Sequence, residues 1–194
     1  MSPSPIVIVE YRHDWVFEFR TVATILRDRL GPMALRIDHI GSTSVAGLAA
    51  KDVIDIQVSV EDLDAPGLVD AIGDAGFLVH SDIAEDHRPP DADGPASDWR
   101  KRFAGERDGE RATNLHVRVA GRPNQRYALL FRDYLRVHSP TASAYANVKR
   151  ELARHHPEDR DAYVLTKDPV CDLIMVAAAD WAARTSWVPD PSDA

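Results

Sequence analysis

The sequence predicts a mixed α/β fold, in which helices flank a β-sheet and a helical part follows it. Residues 53–60 alternate apolar and polar side chains, as a strand does. Residues 15–30 repeat apolar side chains every three or four positions, as an amphipathic helix does. After residue 121 the spacing is helical. We therefore interpret 1–194 as a single domain with an α/β core over 1–121 and a helical extension over 122–194.

The elements of the first half follow from local patterns. A β-branched run predicts a strand over 5–10. Asp14 is then expected to cap a helix that Gly31 and Pro32 end. The remaining predicted elements before residue 80 are strands over 34–40, 53–60 and 77–79 and a helix over 65–75.

The second half begins with residues 80–95, whose Pro, Asp and Gly content predicts a mobile loop. Two strands, over 99–104 and 113–119, are predicted to pair across a turn at 107–110 that contains Asp-Gly. Helices are predicted over 123–138, 141–155 and 159–184, the last interrupted at Asp168-Pro169.

Composition limits the classes of partner. The chain of 194 residues carries 23 Lys and Arg against 31 Asp and Glu, a net charge of −8 that disfavours extended nucleic acid and anionic membranes. The single cysteine, Cys171, excludes an intrachain disulfide and a thiolate zinc cluster. The longest apolar run, 173–179, is too short to cross a bilayer, and no signal segment is visible. We expect a cytoplasmic protein.

A hydroxyl-rich turn is the first candidate site. Gly41 lets the backbone approach a phosphate closely, and Ser42 and Thr43 offer hydroxyl and amide donors. Asp55, on the polar face of the following strand, is suited to a divalent cation. The alternative is a glycine turn with a helix cap, followed by an aspartate on a solvated strand face.

The second candidate lies on the strand over 113–119. Alternation places His116 and Arg118 opposite the apolar residues. If this strand lies beside 53–60, His116 meets Asp55 in one cleft and acts as a metal ligand or proton-transfer group, while Arg118 contacts phosphate. The alternative is the exposed polar face of a half-buried sheet.

Basic residues on the C-terminal helices form the third candidate. Those that face the cleft would neutralise a polyphosphate, whereas the others are ordinary solvated helix surface. The set consists of Arg126, Arg132, Arg136, Lys149, Arg150 and Lys167.

The segment 39–58, HIGSTSVAGLAAKDVIDIQV, resembles the signature of the GrpB family, which is usually placed in the nucleotidyltransferase superfamily. The resemblance extends over almost the whole chain and includes the segments 11–15, 115–117, 130–136 and 149–153. It implies the small mixed sheet of that superfamily, flanked by helices, with a helical tail packed beside it.

The resemblance also implies site residues. The superfamily pattern is a Gly-Ser turn, a strand with two acids separated by one residue, and a third acid on a neighbouring strand. Gly41-Ser42 and Asp55 match the turn and the first acid, whereas the second acid position is Gln57 and the nearest candidate for the third is His116. This set would hold one Mg²⁺ weakly through Asp55 and His116, completed by substrate phosphate.

Three hypotheses follow, of which the third is metal-independent chemistry carried out by His116. The first is a nucleotidyltransferase-like enzyme that moves a nucleoside monophosphate from a metal-bound triphosphate to a small acceptor. In it Asp55 and His116 are catalytic, and Gly41, Ser42, Thr43, Gln57, Arg118, Arg132 and Lys149 bind the nucleotide. The second is a non-catalytic protein of the same fold that binds a nucleotide or phosphorylated metabolite. The intact turn fits the first two, and the neutral Gln57 favours the second over the first.

Overall fold

The computed structural model describes residues 5–106 and 109–194, which form one five-stranded sheet with helices on both faces. The strands are β1 (Arg36–Ile40), β2 (Ile54–Val60), β3 (Phe77–His80), β4 (Arg102–Glu106) and β5 (Thr113–Val119). The α-helices are α1 (Asp14–Leu30), α2 (Leu68–Asp74), α3 (Pro123–Val137), α4 (Ser139–His155) and α5 (Arg160–Thr185). The predicted mixed sheet flanked by helices is confirmed.

Strand order in the sheet is β1-β2-β5-β4-β3. The central pair, β2 and β5, is parallel, and the other neighbours are antiparallel. In the β2–β5 register Asp55 lies opposite Asn114 and Gln57 lies opposite His116. Because side chains alternate between faces, these residues share one face of the sheet.

The apolar face of the sheet packs against α1 and α2. Trp15, Phe19 and Leu26 of α1 are fully or almost fully buried there. They contact the same core as Ile54, Ile56 and Val58 of β2 and Leu115 and Val117 of β5. The apolar residues of the alternating patterns that predicted β2 and β5 are therefore the ones buried against α1.

The polar face of the sheet is also covered, in this case by the C-terminal helices. Gln57 Nε2 donates to the backbone carbonyl of Gln125 on α3, and Gln125 Nε2 donates to Ser59 Oγ. Gln57 and Ser59 are fully buried. The solvated strand face that the sequence left open as an alternative is therefore wrong for these positions.

Three local predictions fail in the first half of the chain. Residues 5–10 form no strand and pair only through a bridge between Val9 and Ala50. Asp14 is the first residue of α1 and does not cap it, since His13 holds the N-cap position. The helix predicted over 65–75 begins at Leu68, because residues before it form a turn.

Helix α5 runs without interruption through Pro169. The residue whose carbonyl loses its partner there is Leu165, which is 72% exposed, so water can replace the missing donor. The predicted turn at 107–110 falls partly outside the described residues. Within the described parts of the chain, no helix is both long and apolar enough to span a membrane.

Candidate functional site

A cavity of about 340 Å³ lies between the polar face of the sheet and the three C-terminal helices. The turn after β1 forms one wall, and side chains from β2 and β5 form the floor. Helices α3, α4 and α5 contribute aromatic and basic side chains to the opposite wall, among them Tyr127, Phe131, Tyr145, Lys149, Tyr163 and Lys167.

The turn Gly41–Thr43 lines this cavity. Gly41 has a φ of 67° and a ψ of −170°, a conformation that is essentially confined to glycine. A Cβ at Gly41 would lie 2.2 Å from Asp55 Oδ2. The missing side chain is therefore what lets the turn contact the carboxylate. Thr43 is almost fully buried, and its hydroxyl lies 3.0 Å from His39 Nε2, so it offers a ligand little beyond its backbone.

Asp55 and His116 meet on the floor of the cavity. His116 Nε2 lies 3.9 Å from Asp55 Oδ1, and Asn114 donates to that same oxygen at 2.8 Å. Burial alone would raise the pKa of Asp55, but the contacts with His116 and Asn114 and the charge of Lys51 lower it overall. Asp55 therefore remains a carboxylate at neutral pH.

His116 is held in its neutral form. Burial and repulsion by Arg118 lower its pKa to about 4, against the opposing influence of Asp55. An Arg118 Nη2 lies 3.3 Å from His116 Nδ1, and because arginine can only donate, Nδ1 is the acceptor. The ring proton of neutral His116 therefore lies on Nε2, on the side of Asp55.

Arg118 lines the cavity, but its donors are taken by protein groups. It binds both oxygens of Asp86 at 2.7 and 2.8 Å and donates to Gln57 Oε1 at 2.6 Å. Lys101 and Asn124 also donate to Asp86, and the positive charges hold the pKa of this carboxyl well below its usual range despite burial. The predicted phosphate contact by Arg118 would need this network to open.

Asp86 belongs to the segment that the sequence predicts as a mobile loop. Its contacts with Arg118, Lys101 and Asn124 tie that segment to the sheet and to α3. Sequence reasoning missed this residue, because no periodic pattern marks it. It also missed Asn114, although Asn114 and His116 share a face at a spacing of two residues.

Two predicted ligand contacts lie outside the cavity lining. Gln57 is fully buried between Arg118 and α3. Arg132 is fully buried and binds Asp133, Asp193 and the backbone carbonyl of His39. The prediction that Arg132 contacts phosphate is therefore wrong in placement, because helical spacing does not show which face of α3 turns toward the cavity.

Besides Arg118, three lysines among the described residues line the cavity, and they are Lys51, Lys149 and Lys167. Lys149 Nζ lies 2.7 Å from Ser42 Oγ and 2.5 Å from the carbonyl oxygen of Ala49. Burial and the charge of Lys167 lower the pKa of Lys149 to about 7. Burial and the charges of Arg160 and Lys167 also lower the pKa of Lys51, whose ammonium lies 5.0 Å from the centre of the Tyr163 ring.

The donor set does not fit a resident Mg²⁺ ion. Mg²⁺ prefers hard oxygen ligands, and three carboxylates of the described residues line the cavity. Asp86 is bound by Arg118 and Asp168 lies 3.5 Å from Lys167 Nζ, which leaves Asp55 beside the Gly41 turn. The Nε2 of His116 carries the ring proton and offers no lone pair. In residues 5–106 and 109–194, no three His, Cys, Asp or Glu side chains are grouped so that they could hold a metal.

Comparison with known proteins decides the family. A family model described as GrpB protein matches residues 5–176. The chain belongs to the GrpB family. A crystal structure of the conserved protein GrpB from Enterococcus faecalis superposes with a TM-score of 0.73 at 28% identity, covering 89% of this chain and 96% of that one. The GrpB resemblance read from segment 39–58 is confirmed.

Curated relatives of this GrpB family member carry different names. It is 37% identical over 202 residues to a dephospho-CoA kinase of Mycolicibacterium paratuberculosis, covering 97% of this chain and 50% of the relative. It is 34% identical over 176 residues to UPF0157 protein BH1888 of Halalkalibacterium halodurans, covering 89% of this chain and 82% of the relative. The chain thus spans about half the length of the kinases it matches.

Proposed function

We propose that this GrpB chain binds a nucleotide or another small phosphorylated metabolite in the cavity beside the Gly41 turn, and that it does so without a divalent cation. The observation that carries the proposal is the convergence of Lys51, Lys149 and Lys167 on one cavity. The charge of Lys167 lowers the pKa of both other lysines, so its ammonium group repels each of theirs. A phosphate group would relieve that repulsion.

The size and charge of the site support a small ligand. The cavity of about 340 Å³ is within the range of small-molecule sites, and aromatic side chains such as Tyr127 and Phe131 line it. With a net charge of −8 the whole chain repels extended nucleic acid and anionic membranes, whereas three local lysines suffice for one phosphate group. A cytoplasmic location, where such metabolites are abundant, is part of the same proposal.

Nucleotidyl transfer is the second candidate. The observation in its favour is the contact between the Gly41 turn and Asp55, the first acid of the superfamily pattern. Against it, the second acid position is held by Gln57, which is bound to Arg118, and the donor set does not suit Mg²⁺. Binding without transfer therefore requires fewer functional side chains than catalysis would.

The name dephospho-CoA kinase belongs to proteins of which this chain matches half. This sequence contains no G-x-x-x-x-G-K-S/T phosphate loop, so we do not propose ATP-dependent phosphoryl transfer for it. The name nevertheless makes dephospho-CoA a reasonable ligand to test, since it is a phosphorylated adenine nucleotide.

A thermal-shift panel tests the proposal. It comprises nucleoside mono-, di- and triphosphates, dephospho-CoA and inorganic phosphate, each measured with EDTA and with Mg²⁺. We expect at least one ligand to raise the melting temperature in EDTA, because a ligand at 100 times its Kd stabilises the folded state by about 2.7 kcal/mol. Product analysis of any hit then separates binding from transfer.

Matched variants locate the binding site. Lys51→Gln removes one cavity ammonium and is expected to weaken the thermal shift. Arg154→Gln removes one charge from the exposed surface of α4, where Arg154 pairs with Glu151, and is expected to leave the shift unchanged. Equal effects of the two variants, or no shift with any phosphate compound, would contradict the proposal.

A further inference from the structure

The contact between Ser42 and Lys149 has a chemistry that phosphate binding does not require. Lys149 is only 3% exposed, and its Nζ lies 2.7 Å from Ser42 Oγ at the cavity wall. The same nitrogen lies 2.5 Å from the carbonyl oxygen of Ala49. The charged amine donates to both oxygens. In the neutral amine an N–H can still donate to the Ala49 carbonyl, while the lone pair can accept the proton of the Ser42 hydroxyl.

The surroundings of Lys149 favour the neutral amine, so that a substantial fraction of this side chain is neutral at physiological pH. Burial and the charge of Lys167 lower its pKa to about 7, against the attraction of Asp55. The ammonium also lies 4.7 Å from the centre of the Tyr145 ring, which favours the charged form. The charged and titratable groups that act on Lys149 come from β2, α4 and α5 and are Asp55, Arg150, Lys167 and Cys171.

We propose that Ser42 and Lys149 form a nucleophile–base pair, and that the cavity hydrolyses small activated carboxylic esters through an acyl-Ser42 intermediate. Serine with a lysine base is one of the recurring arrangements for acyl transfer. Here the serine lies on the glycine turn after β1 and the lysine lies on α4, so the fold brings together two residues that are 107 positions apart.

The hydrolysis requires no reagent other than the ester and water. Ser42 Oγ bonds to the acyl carbon while its proton passes to the neutral Nζ of Lys149. The bond between the acyl carbon and the alcohol oxygen breaks, and the alcohol leaves with that proton. Water then attacks the acyl carbon and gives a proton to Lys149, the bond to Ser42 Oγ breaks, and Ser42 recovers a proton. The products are a carboxylic acid and an alcohol.

The cavity sets the class of substrate. Aromatic rings of α3, α4 and α5, including Tyr127, Phe131 and Tyr145, line the space around Ser42 and favour an apolar acyl or aryl group. Lys51 and Lys167 add positive charge to the same space, which favours the oxyanion that forms as the carbonyl is attacked.

Covalent labelling with a fluorophosphonate tests the pair directly. Ser42 Oγ replaces fluoride on phosphorus, and Lys149 takes the serine proton. We expect the intact mass to show one adduct per chain and peptide mapping to place it on Ser42. The labelling rate is expected to rise with pH to a plateau, with its midpoint near 7, because the neutral amine is the base. Hydrolysis of p-nitrophenyl butyrate should follow the same profile.

Variants separate this role from a structural one. Ser42→Ala should abolish the adduct, and Lys149→Arg, which keeps the charge but cannot lose it, should slow labelling by about 100-fold or more. Ser44→Ala is the control, because the Ser44 hydroxyl donates to the Gly41 carbonyl in the same turn and should label like wild type. Melting curves report whether each variant folds.

Three results would overturn the proposal. They are no adduct on the folded wild type at pH 9, an adduct that maps away from Ser42, and wild-type labelling rates in folded Lys149→Arg. If Lys149→Arg does not fold, the pH profile of the wild type decides, since a rate that does not change between pH 5 and pH 9 excludes a base with a pKa near 7. None of these results depends on phosphate binding, which the thermal-shift panel measures separately.

Discussion

At the scale of single residues, Gly41 determines how closely the turn approaches the sheet. Its φ of 67° is a value that glycine adopts more readily than other residues. The space that a Cβ would need at this position is filled by Asp55. Gly47 also has a positive φ, of 77°, but nothing lies within 4 Å of the position its Cβ would take. The two glycines therefore differ in their surroundings rather than in the sign of φ.

This difference predicts unequal costs for one substitution. Gly47→Ala is expected to lower the free energy of unfolding by about 1–2 kcal/mol, the usual cost of a left-handed conformation. Gly41→Ala adds a clash with the Asp55 carboxylate and is expected to cost about 3 kcal/mol or more. Urea unfolding followed by circular dichroism measures both values. Equal costs would show that Asp55 moves away freely and that the turn is not fixed against it.

At the scale of elements, α3, α4 and α5 cover the polar face of the sheet, so that this face is partly buried and partly lines the cavity. Gln57 and Ser59 are buried by α3, and Asp55 and His116 remain at the cavity because α4 and α5 stand away from the sheet there. Helix α5 supports this arrangement as one continuous rod of 26 residues in spite of Pro169.

Replacing Pro169 tests the continuity of α5. Pro169 is exposed, so Pro169→Ala loses little packing and restores a backbone donor for the carbonyl of Leu165. We expect the free energy of unfolding to rise by about 1–3 kcal/mol, since proline is that much worse than alanine inside a helix. Thermal and urea unfolding measure the change. A lower stability would indicate that α5 is bent at this point in a way that proline supports.

Sequence patterns predicted the elements that bury one face and missed contacts between distant segments. The alternation of β2 and β5 and the Gly41 turn follow from local rules. The pairing of Asp86 with Arg118 joins residues 32 positions apart, and nothing local marks it. Arg132 was misplaced for a related reason, because periodicity identifies an amphipathic helix but not which neighbour each face meets.

At the scale of the whole molecule, residues 190–194 cover the free edge of the sheet. Strand β1 has one neighbour, β2, and along its other edge Ser192 Oγ bonds to the amide and the carbonyl of Ile37. The Asp193 carboxylate accepts from the amide of His39 and from buried Arg132. Residues 190–194 thus satisfy edge groups of β1 that are otherwise open to pairing with another strand.

Substitution of Asp193 tests this contribution. Asp193→Ala leaves Arg132 without that carboxylate, and we expect a loss of about 2–4 kcal/mol in the free energy of unfolding. Asp190→Ala is the matched control, because Asp190 contributes its backbone carbonyl to Arg36 and keeps that bond. Urea unfolding gives the stability, and sedimentation shows whether an uncovered β1 edge promotes association. Equal stabilities for the two variants would contradict this account of the edge.

The proposal that the cavity binds phosphate without a resident metal joins these scales, since a glycine turn, a covered polar face and three lysines meet there. Isothermal titration calorimetry tests it most directly, with the nucleotide that gives the largest thermal shift, in EDTA and then in Mg²⁺. The account predicts that the Kd in EDTA and the Kd in Mg²⁺ agree within about threefold. This agreement is expected for the wild type and also for Asp55→Asn. Binding that is at least tenfold tighter with Mg²⁺, and that loses this gain in Asp55→Asn, would contradict it and favour metal-dependent nucleotidyl transfer.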